Sequence, residues 1–244
     1  MSAATRGDLV GAIGICRRCP RLVAWREEVA ATKVARHRDD VYWGRPVPGF
    51  GDPAARVLLV GLAPAAHGGN RSGRVFTGDD PGVSGELLFP ALHATGYSPK
   101  PRSAGAGDGL VLHDAYIASV NRCAPPGNRP TPDERDRCLP FLVREVALLD
   151  RLRVIVCLGG WAWDGVLRAL AAAGHAARPA PRFAHGAEVT VGPYVLLGAY
   201  HPSKQNVYPG RVTGAMLAAV LRRARALADG DPAPDASPPP VHRR

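Results

Sequence analysis

The stretch RVLLVGLAPAAHGGNRSGRVFTGDDPG, residues 56–82, begins as a short apolar run and continues as a long glycine-rich loop. The run at 56–61 is almost wholly apolar, which is typical of a strand that is covered on both faces. Three more runs of this kind follow at 115–120, 153–158 and 194–198. Each of them ends at a glycine or a polar turn, so we predict four buried strands.

Helical patterns separate these strands. We predict helices over residues 84–95, 131–149, 161–173 and 211–227. Ser84 is a candidate N-cap, and Thr131 starts a capping box that Glu134 completes. The alternation favours an α/β fold, with a four-stranded parallel sheet flanked by helices on both faces. Ligands bind such sheets at the carboxyl ends of the strands, so the residues that follow each strand are the candidate site.

The length and composition suit a single domain. The chain has 244 residues, and the 46% that are hydrophobic are enough to form a sizeable core. We predict that residues 1–230 form this domain. Residues 231–244, DPAPDASPPPVHRR, are rich in proline and lack apolar periodicity, which predicts a disordered tail. Residues 98–108 are expected to form a surface loop.

The charge balance is basic, with 31 Lys and Arg against 21 Asp and Glu. Such an excess favours a polyanion such as DNA, because bound cations displace counterions from phosphates. An arginine-rich proteome would raise the count equally well. The start of the chain does not resemble a signal peptide, and no stretch approaches the ~20 apolar residues of a membrane span. We expect a cytoplasmic, nucleoid-associated monomer with no membrane partner.

Four of the five cysteines are placed as candidate metal ligands. Cys16 and Cys19 form C-R-R-C, and Cys123 and Cys138 come after the second predicted strand. In a reducing compartment such cysteines indicate a metal site before a disulfide. Their spacing does not choose between zinc and an iron–sulfur cluster. Cys157 lies between Val and Leu inside the third strand, so we predict that it is a core residue.

Several residues after the strands have chemistry that suits a ligand site, and each also has a structural interpretation. Phe76 can stack on a planar base or pack into the core. Asp79 and Asp80 can activate water or form an ordinary turn. The Asn121 amide can read a ligand through one acceptor and two donors, or close its own turn. His201 begins a polar loop at a strand end, where it is either a catalytic or a structural histidine.

Taken together, these residues resemble the uracil-DNA glycosylase superfamily, and most closely its family 5, the iron–sulfur branch. The resemblance is carried by GLAPAAHGGNRSGRVFTGD at 61–79, NRC at 121–123 and HPS at 201–203. It extends over about residues 15–227. It implies an enzyme that flips uracil and other deaminated bases out of DNA and hydrolyses their N-glycosidic bonds. It also implies a 4Fe–4S cluster on the first four cysteines, which holds loops beside DNA and takes no part in bond cleavage.

The resemblance also implies a role for each matching residue. His201 would stabilise negative charge on the departing base, Asn121 would read the base edge at O4 and N3–H, and Asp79 would position or activate water. The expected base-binding residues are Gly61, Ala63, Phe76, Asn121 and His201. The expected DNA-contacting residues are Arg71, Arg74, Ser203, Lys204, Gln205, Asn206 and Arg211. Part of the last loop, together with Tyr208, would wedge into the vacated base stack.

The first motif departs from the pattern of many superfamily members. They place a carboxylate there, whereas residues 62–66 read LAPAA and contain no group that can activate water. We therefore expect Asp79 to activate water, with Asp80 and Asn70 as alternatives. Family 1 enzymes have a tyrosine where Ala65 stands, so a wider pocket is expected. Such a pocket would admit hypoxanthine, and we extend the expectation to xanthine and ethenocytosine.

Other functions remain open at this point. Lys204 is the one lysine in the matched loops, so we expect a monofunctional glycosylase that forms no Schiff base. The main alternative is a non-catalytic DNA-binding module that is stabilised by a metal. A redox protein lacks a visible motif for a partner cofactor. A metal-dependent phosphodiesterase lacks Asp, Glu and His at metal-binding spacing.

Overall fold

The structure is a computed structural model that describes residues 5–77 and 83–231. Within these residues, six strands form one sheet: β1 Phe50–Gly51, β2 Val57–Gly61, β3 Ala115–Ser119, β4 Val154–Leu158, β5 Glu188–Val191 and β6 Tyr194–Ala199. The α-helices are α1 Arg6–Gly14, α2 Pro20–Thr32, α3 Gly69–Ser72, α4 Ser84–Ala94, α5 Pro132–Ala147, α6 Gly160–Ala172, α7 Lys204–Val207 and α8 Gly214–Asp229. Short 3-10 turns occupy Ala35–His37 and Pro126–Asn128.

The sheet has the order β1-β3-β2-β4-β6-β5. The four central strands are parallel, as predicted, and the two edge strands run antiparallel to their neighbours. Gly61 pairs with Ser119, and Leu158 pairs with Ala199. The parallel strands therefore end together at one edge of the sheet. The edge strands were missed because β1 has two residues and β5 is only partly buried.

Two apolar cores lie on opposite faces of the sheet. Alternate residues of the strands point to opposite faces, so Leu59 packs with α4 and α8 whereas Leu58 packs with α5 and α6. All five residues of β2 are buried, as expected for a strand covered on both sides. The prediction of helices on both faces is confirmed. Cys157 is also confirmed as a core residue, since it is fully buried within β4.

The helix ends agree with the sequence in one case and differ in two. The predicted capping box of Thr131 is present at the start of α5. The prediction that Ser84 caps α4 is wrong, because Ser84 is the first helical residue and Val83 occupies the cap without a side-chain bond. The last helix starts later than residue 211, because the Thr213 side chain caps α8.

Two N-terminal helices, α1 and α2, were not anticipated. Leu9 and Ile13 of α1 pack on Phe141 of α5 in a third, small core. This contact brings the segment with Cys16 and Cys19 against the α/β core. The predicted tail beyond residue 231 lies outside the described residues. None of the helices in residues 5–77 and 83–231 is long and apolar enough to cross a membrane.

Candidate active site

A cavity of about 770 Å³ opens at the carboxyl ends of the parallel strands. Its walls come from the loop after β2, the β4–α6 junction and the segment after β6, including Ala63, Trp161 and His201. The volume lies within the usual range for small-molecule pockets. The position agrees with the rule that open parallel sheets bind ligands beyond their strand ends.

Phe76 lies on the wall of this cavity, with its ring over Gly61. A Cβ atom at Gly61 would stand 2.6 Å from the ring atom Cζ, so only glycine permits this approach. The backbone of Phe76 has φ +60°, a conformation that is uncommon for residues other than glycine. The Thr77 hydroxyl holds the turn by donating to the Arg74 carbonyl at 2.7 Å. The ring is therefore held in place by a constrained local backbone.

His201 faces the same cavity from the end of β6. Its ring centroid is 5.8 Å from that of Phe76, with 33° between the ring planes. The His201 carbonyl accepts hydrogen bonds from the Ser203 amide and from Asn206 Nδ2, both at 2.8 Å. Burial lowers the pKa of His201 to about 4, so the imidazole is neutral at pH 7. A neutral ring still carries one N–H that can donate to a ligand.

Asn121 is fully buried just beyond the end of β3 and is not part of the cavity wall. Its backbone N–H donates to the Leu62 carbonyl at 3.0 Å. Its side-chain oxygen accepts a hydrogen bond of 3.0 Å from the indole N–H of Trp161, which does line the cavity. Its amide nitrogen has no partner in the described part of the chain. The structure thus brings Phe76 and His201 together and places Asn121 next to a wall residue of their cavity.

The predicted water-activating carboxylates, Asp79 and Asp80, lie outside the described residues. Their nearest described neighbours on the wall are Phe76 and Val83, both of which line the cavity. The alternative candidate, Asn70, is fully buried and is not part of the lining. Its amide donates to the Arg26 carbonyl at 3.1 Å, which joins the glycine-rich loop to α2.

The residues predicted to contact DNA fall into two groups, one in the segment after β6 and one in the glycine-rich loop after β2. One group lies at the cavity and comprises Ser203, Lys204, Gln205 and Asn206. Arg211 and Tyr208 are exposed farther along the same loop. These positions are accessible to a ligand that enters the cavity from solvent.

The two arginines of the glycine-rich loop are engaged within the protein. Arg71 Nη1 lies 2.6 Å from Asp40 Oδ2, and its Nε donates to the His67 carbonyl. Arg74 is only 9% exposed and bonds Asp108 at 2.5 Å. The Asp108 carboxylate thereby anchors the predicted surface loop 98–108, which contains no helix or strand. Both arginines thus have partners within the protein, and their contact with DNA stays a prediction.

Sequence reasoning missed several residues that line the cavity. Arg36 and Arg129 add positive charge, and Trp161, Phe183 and Tyr200 add aromatic surface. Tyr200 directly follows β6 and Trp161 lies three residues beyond β4, so the strand-end rule could have found them. Arg36 lies in a 3-10 turn and Phe183 in a loop, and no local pattern connects either segment to the sheet.

The similarity of this chain to known proteins identifies its family. A profile described as the Uracil DNA glycosylase superfamily matches residues 48–225. The chain belongs to the uracil DNA glycosylase superfamily. It is 51% identical to the Type-5 uracil-DNA glycosylase of Mycobacterium bovis, over 91% of this chain and 81% of that protein. It is 49% identical to the Type-5 uracil-DNA glycosylase of Thermus thermophilus, over 91% and 98% of the two chains.

A different branch of the superfamily is less similar. The Type-4 uracil-DNA glycosylase of Archaeoglobus fulgidus is 35% identical over 56% of this chain and 58% of its own length. The resemblance to family 5 is therefore confirmed. The superfamily profile extends across the cavity loops, from before β1 to within α8.

In this superfamily member, the four predicted metal ligands surround one small second cavity. It is lined by Cys16, Cys19, Cys123 and Cys138 together with apolar and arginine side chains. The cysteines are free of disulfides. Within the described residues, no three His, Cys, Asp or Glu side chains are close enough to hold a single metal ion. A cluster of several metal atoms needs wider sulfur spacing than one ion does, because the metals lie between the ligands.

Two buried arginines surround these sulfurs. Arg26 is 2% exposed, and its guanidinium donates to Cys123 Sγ at 3.0 Å and to the Cys16 carbonyl. Its nearest carboxylate, on Glu27, is 3.7 Å away on a side chain that is 43% exposed. The Arg122 backbone N–H donates to Cys138 Sγ at 3.3 Å. Buried charges normally require close opposite charges, and a negatively charged thiolate site would supply one for Arg26.

Proposed function

We propose that this chain is a DNA-repair glycosylase that removes uracil from DNA. The proposal rests on one observation above the others: Phe76 and His201 face a single cavity at the strand ends. Membership of the uracil DNA glycosylase superfamily supports it. The +10 formal charge favours a DNA substrate.

The target base must leave the duplex before it can react. Flipping costs a few kcal/mol and exposes the base to stacking and edge recognition. The cavity of about 770 Å³ is large enough for a flipped base with part of its sugar. Arg36, Arg129 and Lys204 on its walls would attract the adjoining phosphates.

The neutral imidazole of His201 can assist cleavage of the N-glycosidic bond by donating its N–H to the leaving base. The C1′–N1 bond of the nucleotide breaks, and its electron pair leaves with uracil and spreads onto O2. The His201 N–H donates to that oxygen most strongly as the negative charge appears, which is selective stabilisation of the transition state. Water then adds its oxygen to C1′ and gives up a proton, assisted by Asp79 in our proposal, while the uracil anion takes up a proton from solvent. The products are free uracil and an abasic site.

Part of the cavity wall is formed by small side chains of the first motif, residues 62–66. Ala65 and Ala66 line the cavity where a bulkier residue would narrow it. We propose that this space admits other deaminated bases, including hypoxanthine and, by extension, xanthine and ethenocytosine. Lys204 is exposed to solvent. Since a Schiff-base lysine is normally desolvated to make it nucleophilic, we propose a monofunctional enzyme that leaves the DNA strand intact.

We propose that Cys16, Cys19, Cys123 and Cys138, which line the second cavity, hold a 4Fe–4S cluster. Thiolate ligands with N–H donors on their sulfurs are the usual environment of such clusters. The donors here are Arg26 and the Arg122 backbone. When bound, the cluster would supply a structural cross-link between the N-terminal segment and α5. It takes no part in the proposed hydrolysis.

The direct test is excision of bases from duplexes that each carry one modified base. We expect the wild type to release uracil and hypoxanthine, and His201→Ala to lose about 10²–10³-fold in rate with little change in DNA binding. His113→Ala, at an exposed position outside the cavity, is the control. A wild type that binds the duplex but releases no base would favour the non-catalytic DNA-binding module. Borohydride trapping of a covalent adduct would contradict the monofunctional mechanism.

A further inference from the structure

The hydrogen bond between Trp161 and Asn121 connects two strand ends across the sheet. Trp161 is the second residue of α6 and lies three residues beyond β4, and Asn121 lies two residues beyond β3. These strands flank β2 on either side. The indole N–H meets the amide oxygen at 3.0 Å, and the Arg135 guanidinium lies 5.3 Å from the indole ring. The indole is thus held from both sides.

This bond fixes the orientation of the Asn121 amide. An indole nitrogen is a donor only, whereas a carboxamide has an oxygen acceptor at one end and an NH₂ donor at the other. Turning the amide over would place two donors against each other. Trp161 therefore holds the oxygen towards itself and leaves the NH₂ group on the other side.

The freed NH₂ group is a buried donor without an acceptor in the described residues. A buried polar group left unpaired is destabilising, so such a group is a strong recognition element once an acceptor arrives. Its position is next to the cavity, because the Asn121 backbone bonds Leu62 and its side chain bonds Trp161, and both residues line the wall.

We infer that Trp161 is a positioning residue that makes the base site select a keto oxygen. The inference rests on the proposed base-excision function and specifies its substrate class. Deamination converts an exocyclic amino donor into a keto acceptor, as in cytosine to uracil and adenine to hypoxanthine. A fixed NH₂ donor pairs with the keto group and repels the amino group. An amide free to turn over would accept from the amino group and lose this discrimination.

The test compares Trp161→Phe with wild type on two substrates. One duplex carries uracil, and the other carries 2-pyrimidinone, which has a hydrogen atom in place of O4 and, unlike uracil, no hydrogen on N3. We expect kcat/KM for uracil to fall about tenfold, the value of one hydrogen bond at the upper end of its usual range, with no change on 2-pyrimidinone. The same substitution in an Asn121→Ala background should have no further effect. Equal losses on both substrates would overturn the inference.

A matched control exists two residues further along α6. Trp163 also donates its indole N–H, but to the Pro181 carbonyl at 2.8 Å, and it lies in the core. Trp163→Phe removes a similar bond and should leave the ratio between the two substrates unchanged. If it alters the ratio as much as Trp161→Phe does, the specificity is not a property of the Asn121 contact.

Binding to uncleavable duplexes separates this inference from the proposed function. We would use 2′-fluoroarabino analogues of uridine and cytidine, and measure their affinities by fluorescence anisotropy. A wild type that prefers the uridine analogue, with the preference lost in Trp161→Phe, supports keto selection even if no base is released. Absence of excision would then refute only the hydrolysis. Equal affinity of the wild type for both analogues would refute keto selection.

Discussion

Replacing Gly61 with alanine tests the stacking geometry at its closest contact. The added Cβ would lie 2.6 Å from Cζ of Phe76, and its three nearest heavy atoms all belong to that ring. Carbon atoms in contact normally stay about 3.5–4.0 Å apart. The ring must therefore move by about 1 Å. Gly61 does not have a left-handed backbone conformation, so alanine fits its φ and ψ without strain.

The expected size of the effect follows from this displacement. A misplacement of about 1 Å in a group that positions substrate can lower the rate about 100-fold, which corresponds to about 2.7 kcal/mol in the activation barrier. The measurement is single-turnover release of uracil from a labelled duplex. Thermal unfolding of Gly61→Ala should stay close to wild type. Gly11→Ala is the control, because nothing lies within 4 Å of a Cβ at that position.

A double-mutant cycle distinguishes the ring from other causes. In a Phe76→Ala background the clash is absent, so Gly61→Ala should have no further effect on the rate. If the loss persists in that background, the new methyl group acts on the base itself. An unchanged rate for Gly61→Ala in the wild-type background would show that the position of Phe76 does not limit excision.

Three further outcomes are expected. Burial lowers the pKa of His201 from 6.5 to about 4 on folding. As the pH decreases below 6.5, the unfolded chain therefore takes up a proton before the folded chain does, and the free energy of unfolding decreases. Between pH 7 and pH 5 the wild type should lose about 2 kcal/mol more in urea unfolding than His201→Asn, and equal losses would contradict the burial argument. Asp79→Ala should slow single-turnover excision more than Asp80→Ala does. The reverse order would indicate that Asp80 activates the attacking water. Arg26→Met should speed the loss of visible absorbance from the iron–sulfur cluster that we propose, relative to Arg17→Met at an exposed position, whereas equal rates would show that Arg26 does not stabilise that cluster.

Local sequence determined the central elements of the fold. The four parallel strands follow from short apolar runs, which need no information beyond their own residues. The capping box at Thr131 follows from a four-residue pattern in the same way. The sequence did not predict the edge strands β1 and β5, because the pairing of an edge strand depends on its neighbouring strand more than on a local apolar run. The order of the motifs along the chain was enough to identify the superfamily.

The tertiary structure decided which of the singled-out residues meet. Phe76 and His201 share one cavity, whereas Arg74 turns inward to anchor a loop through Asp108. An arginine that binds phosphate and one that binds a carboxylate look the same in sequence, because the charge that pairs with it is distant along the chain. Asn121 accepts its side-chain hydrogen bond from Trp161, which is 40 residues away in the sequence. The chain's own pattern specifies strands, helices and caps, while contacts between distant side chains are fixed only when the packed sheet brings their backbones together.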